Sequence, residues 1–139
     1  AGDVWEEGGL KVRVLNPPRM VFADRSDDNA LVLLLEYGAT RVLLLSDAGQ
    51  AAERQIIAEN MQAQIVVKGR HGREEICSEA FLDVVKPEVV VQCRYPEPGL
   101  RDKLQKRGIR FARTDETGAV TIRLAKNGYS LRGYFNAQN

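Results

Sequence analysis

Residues 31–73 read LVLLLEYGATRVLLLSDAGQAAERQIIAENMQAQIVVKGRHGR, and this stretch decides the fold. It holds three apolar runs, at 31–36, 41–46 and 65–68, each of strand length and rich in Leu, Val or Ile. Tyr37-Gly38-Ala39-Thr40 gives a tight turn between the first two. Between the second and third, Ala52, Ile56, Ile57 and Met61 recur at helical spacing, which predicts a helix over 50–61. Asp47 and Gly49 supply the turn and the anionic character expected where that helix starts. Strand–helix–strand order requires the strands ending at Asp47 and at Lys68 to be parallel and joined by a right-handed crossover. Their near-continuous apolar content predicts strands covered on both faces.

The unit repeats downstream. Ser78 is a good N-cap for a helix over 79–86, with Phe81, Val84 and Val85 on one stripe, and Pro87 stops it before a strand at 88–92. Pro98 opens another helix carrying Leu100 and Leu104, Gly108 ends it, and a strand follows at 109–112. The tail changes period. Val120, Ile122 and Leu124 alternate with polar residues, and Asn127-Gly128 turns the chain into 129–134, predicting a hairpin that closes a sheet edge. Upstream, residues 10–15 alternate as a strand that Asn16-Pro17-Pro18 stops, and the charged run DRSDDN at 24–29 reads as a loop. The fold class is therefore α/β, a mixed sheet with flanking helices, in a single domain over 1–139.

Composition narrows the function. Twenty Lys and Arg against nineteen Asp and Glu leave a net charge of +1, so any polyanion site has to be a local patch. The two cysteines, Cys77 and Cys93, have neither CxxC nor Cys/His spacing, which indicates no disulfide framework and no structural zinc site. No apolar run approaches the roughly 18 residues of a membrane span. The chain begins at Ala1 with no initiator Met and no basic-then-apolar leader, as expected of an excised piece with an upstream portion missing. There is no P-loop and no GxGxxG. The acidic cluster Asp24, Asp27 and Asp28 lacks the glycine and terminal glutamate of an EF-hand loop. Cys93 does not open a C-x5-R phosphatase loop, because Gly99 occupies the arginine's place and Arg101 comes two residues late. Trp5, Tyr95, Tyr129 and Tyr134 are too dispersed for a base-stacking platform.

Two sets of residues can carry chemistry. Asp47 and His71, the chain's only histidine, lie 24 positions apart (71 − 47) and follow adjacent parallel strands, where open α/β sheets keep their ligand crevice. Both are metal-ligand types. Against that, an Asp after a strand is commonly a cap, a His in a glycine-rich loop is commonly exposed, and a catalytic zinc takes three protein ligands plus a water. The second set, Lys68, Arg70, Arg73 and Arg94, can converge on the same crevice edge and hold phosphates through bidentate guanidinium contacts. The plain alternative is a solvated charged loop, with Glu74 and Glu75 beside it.

The stretches SDDNALVLLLEYGATRVLLLSDAG, VVKGRHGREEICSEAFLDVVKPEVVV and GLRDKLQKRGIRFARTDETGAVTIRL, with the lead-in GDVWEEGGLKVRVLNPP, resemble the C-terminal part of the metallo-β-lactamase-like domain of ComEC-type competence proteins, bacterial inner-membrane DNA-uptake channels. In that family the pattern runs DNxSLVL, LLTGD, KxxHHGS, then a helix and a Pro-x-hydrophobic strand. Asp28, Asn29, Leu31 and Val32 match the first motif. Asp47 falls on the metal-bridging Asp of the second, with Ser46 in place of its glycine. Arg70 and His71 fall on the histidine pair, Gly72 matches, and Arg73 replaces serine. Which member of that pair is the true ligand stays open.

The resemblance implies half of an αββα sandwich, with zinc or manganese as the family's cofactor and DNA as partner. It further implies a parent protein in the bacterial inner membrane, with this domain on the extracytoplasmic side beside a channel region. The family's HxHxDH signature has no counterpart here, so this chain alone is expected to hold no metal and to be an inactive, metal-dependent hydrolase (phosphodiesterase or nuclease-like). Truncation and decay both fit that absence, and a guanidinium in the histidine's place favours decay. The alternative is a non-catalytic module that binds the nucleic-acid backbone. In either case a half-sandwich exposes an apolar face for its missing N-terminal half, and self-association is expected.

Overall fold

The computed structural model describes residues 1–17, 29–69, 77–93 and 97–134. Nine strands and four helices are found there: β1 (Val4–Glu7), β2 (Leu10–Asn16), β3 (Val32–Tyr37), β4 (Thr40–Ser46), α1 (Gln50–Ala58), β5 (Ile65–Lys68), α2 (Glu79–Val85), β6 (Val89–Gln92), α3 (Leu100–Lys106), β7 (Arg110–Arg113), α4 (Thr114–Thr117), β8 (Val120–Ala125) and β9 (Gly128–Gly133). Strands β1 to β7 form one seven-stranded sheet in chain order, and β8 with β9 forms a separate two-stranded sheet. β1 to β4 are an antiparallel meander, whereas β4 to β7 are parallel and connected through α1, α2 and α3. The expected α/β mixed sheet with flanking helices is what the chain forms.

The two faces of the large sheet are covered differently. Leu34, Leu43, Leu45, Val66 and Val90 face the helices and pack against Ala52, Ile56, Phe81, Leu82, Leu100 and Leu104, all buried. Phe81 has no exposed surface, and removing its ring would cost about 3–5 kcal/mol. Helix α2 is locally specified at both ends. Ser78 caps α2 by accepting from the Phe81 amide at 3.1 Å, and Lys86 ends it in the left-handed region at φ 51°. Helix α1 stops at Ala58, short of the expected Met61, because Asn60 turns the chain at φ 50°.

The opposite face carries Val67, Val89, Val91 and Ala112, against which Val120, Ile122, Tyr129 and Leu131 of the hairpin pack. The hairpin therefore lies across the sheet's face. This corrects the expectation that it closes an edge: its apolar residues all point to one side, and burying them requires a face rather than an edge. It is pinned at one end by the Ala39 amide donating to the Lys126 carbonyl at 3.2 Å, and by the Tyr129 hydroxyl donating to Glu88 at 2.7 Å.

The expectation that β3 and β4 are covered on both faces also needs correction. On the hairpin side, one register row runs Trp5, Val12, Leu35, Val42, Ile65, Val89, and the next runs Val14, Leu33, Leu44, Val67, Val91, Ala112. Val12, Leu33, Leu35 and Leu44 are only half-buried, and Trp5 on edge strand β1 is 59% exposed.

Candidate functional site

β4, β5 and β6 end side by side on one edge of the sheet, with Ser46, Lys68 and Gln92 in register. The ladder runs one step further, as the Gly69 amide donates to the Ser46 carbonyl at 2.8 Å and the Cys93 amide to the Lys68 carbonyl at 3.0 Å. Asp47, Gly69 and Cys93 thus follow one another across the carboxyl ends of the parallel strands, the edge where open α/β sheets keep their ligand crevice. Ser46 has φ 49°, a left-handed conformation that costs a residue with a side chain about 1–2 kcal/mol and in which glycine is at ease. This is the position where the resemblance placed a glycine. Directly after it, Asp47 is exposed, and its carboxylate lies against the Cα of Gly69.

Cys93 is exposed and within electrostatic range of Asp47. Partial burial, and then the Asp47 carboxylate, push its thiol above the ordinary range, so it stays protonated at neutral pH. Among the described residues no group of three or more His, Cys, Asp or Glu side chains is placed to hold a metal ion.

Lys68 departs from its expected role. Its side chain has no exposed surface and pairs with Glu97, which is 18% exposed, so it does not stand on the crevice edge as a phosphate ligand. The reason is parity: Lys68 shares the inward, helix-facing side of β5 with Val66, and an ammonium buried there needs a carboxylate partner. The pair ties the end of β5 to the segment leading into α3. Beside it, burial raises the Cys77 thiol to about 12 against the opposing pull of Lys68, while Gln92 is buried and its side-chain oxygen has no hydrogen-bond partner among the described residues. Of the other expected site residues, Arg70, His71, Arg73 and Arg94 lie outside the described residues, as does Asp28 of the first motif.

Two polar elements escaped the sequence reading. Buried Glu53 of α1 accepts from the Cys77 and Ser78 amides at 2.7 and 3.0 Å, holding the start of α2 to α1. Arg113, in register with Gln92 at the end of β7, pairs with Asp115 and with Glu116 at 2.9 Å. Only an acid at an inward helical position and an Arg three residues before a Glu hinted at these in sequence.

The fold and the site together define an α/β domain with a crevice at the carboxyl ends of parallel strands. Comparison with known proteins then adds the relationship. The chain is 26% identical over 136 residues to Competence protein ComA of Neisseria gonorrhoeae, covering 89% of this chain and 19% of that protein. It is likewise 26% identical over 131 residues to ComE operon protein 3 of Bacillus subtilis, covering 88% of this chain and 17% of that one. These likenesses support a relationship to competence proteins, and the chain spans less than a fifth of the length of either relative. No protein-family profile matches it. No helix among the described residues is long and apolar enough to cross a membrane.

Proposed function

We propose that this chain is an α/β domain of a competence-type DNA-uptake protein, built as half of a metallo-β-lactamase-like sandwich with a degenerate metal site. Its task in that reading is to contact the phosphate backbone of DNA without hydrolysing it. The observation that carries the reading is the similarity to two competence proteins along nearly the whole chain. The strand-end crevice supports it, since β5 and β6 stop side by side at Gly69 and Cys93, and Arg70, Arg73 and Arg94 follow them directly in sequence. Guanidinium forks suit phosphate oxygens, and such contacts carry little sequence preference. Zinc or manganese, DNA hydrolysis and an inner-membrane channel beside an extracytoplasmic domain belong to the longer protein in this reading.

The half-buried face over β1 to β4 supports a second partner, the complementary half of the sandwich in such a protein.

The test is the affinity of the purified chain for labelled single-stranded and duplex oligonucleotides at rising salt. Binding that weakens steeply with salt and drops on replacing Arg70, Arg73 and Arg94 with Ala is expected. Salt-insensitive binding, or none at low salt, would remove the DNA reading. Metal content by mass spectrometry after zinc and manganese loading runs in parallel. Stoichiometric metal lost in Asp47→Ala would restore a hydrolase reading.

A further inference from the structure

Gly69 is not at a positive φ, so its backbone conformation alone would admit any residue. Space is what excludes one. A Cβ built at Gly69 would overlap Oδ1 of Asp47 and stand 2.6 Å from the Ser46 carbonyl oxygen and 3.0 Å from its carbon. The carboxylate could rotate away, but the carbonyl cannot retreat without breaking the 2.8 Å bond it accepts from the Gly69 amide. Ser46, turned into the left-handed region, sets the direction in which Asp47 leaves β4.

We infer that Gly69 is a positioning residue of the crevice: by lacking a side chain it leaves the space in which the Asp47 carboxylate rests across the β4–β5 end. The inference rests on the reading of this edge as the working edge of the domain, yet it concerns only where Asp47 sits. It can therefore fail or stand independently of DNA or metal binding.

Cys93 is the reporter, because the Asp47 carboxylate is one of the two influences that raise its thiol and the chain's other cysteine is buried. The rate of Cys93 alkylation is measured against pH in the native chain, Asp47→Asn, Gly69→Ala and the double variant, each checked for folding by circular dichroism. The expected result is a shift of the profile to lower pH in Asp47→Asn, a shift in the same direction in Gly69→Ala, and no further shift in the double variant. A folded Gly69→Ala with the native profile would overturn the inference. So would a Gly69→Ala shift that persists undiminished in the Asp47→Asn background, since it would then act through general loosening. Should Gly69→Ala not fold, nuclear magnetic resonance of the native chain decides. The Gly69 α-proton resonances are expected to differ between the native chain and Asp47→Asn at one pH, and unchanged resonances would overturn the inference.

Discussion

The carboxylate of Asp47 lies against the Cα of Gly69, so two adjacent parallel strands meet at their ends through an acidic side chain and a residue that has none. The residue before Asp47 carries the conformational cost of this arrangement, because Ser46 is held at φ 49°. Ser46→Gly is therefore expected to raise stability by up to about 1 kcal/mol, the relief of left-handed strain being partly offset by glycine's greater freedom in the unfolded chain. Urea unfolding reads this as a higher midpoint at unchanged slope. A lowered midpoint would show that the Ser46 side chain contributes more than its backbone costs.

The Lys68 and Glu97 pair predicts an asymmetry. Glu97→Ala leaves a buried ammonium without a partner and is expected to cost about 3–5 kcal/mol, whereas the combined Lys68→Met and Glu97→Leu exchange should be far milder or even stabilising. Chemical denaturation of the single and double variants measures both. Equal losses in the two would mean that the pair is well solvated and that its burial has little energetic weight.

The two thiols should behave as different species. Cys93 is exposed, with its thiol raised by burial and then by Asp47, so its alkylation should set in at higher pH than that of a free cysteine. Cys77 is buried, with a thiol raised to about 12, and should react only when the chain opens. Mass spectrometry is expected to find one label per native chain and two after denaturation. Rapid double labelling of the native chain would contradict the buried position of Cys77.

Tyr129 gives the hairpin a pH dependence. Its phenol is raised from 10 to about 12 by burial and by the hydrogen bond to Glu88, so the folded state favours the neutral form. Stability from this source is complete below the unfolded value and is lost as pH rises from 10 through about 12, where the unfolded chain gives up the proton more readily. Tyr129→Phe should flatten the fall in melting temperature over this window. A fall as steep as that of the native chain would assign it to other groups.

The half-buried rows over β2 to β4 and exposed Trp5 predict weak self-association. Sedimentation is expected to show a concentration-dependent shift that Trp5→Ser and Leu35→Ser diminish. A clean monomer at high concentration would count against it.

The β-α-β core could be read from sequence because its signals are local: apolar runs of strand length, the Ser78 cap and the Pro87 stop all act within a few residues of where they stand. The hairpin was legible as a hairpin, through Asn127-Gly128 and the two-residue period, but not its seat, since alternation says that one side is buried and not against what. β1 was missed because Val4-Trp5-Glu6-Glu7 is too short to show a period. At the site, Asp47 directly follows β4, as the end of its apolar run indicated. Lys68 was not legible in that way, because a lysine ending a strand looks like a surface charge until Glu97, 29 positions on (97 − 68), folds back onto it. His71, Arg70, Arg73 and Arg94 lie outside the described residues.

The Ala39 to Lys126 hydrogen bond closes a loop of 87 positions (126 − 39), and Gly38 beside it is at φ 57° with the Lys126 backbone pressed onto the place a Cβ would take. Such a contact has a kinetic meaning. Closing so long a loop is entropically costly, so this contact is expected to form after the local β-α-β units that cover the other side of the sheet. Because the hairpin is also last in chain order, the side of β5 to β7 that it covers is expected to stay open to wrong pairing until the chain is complete to that point.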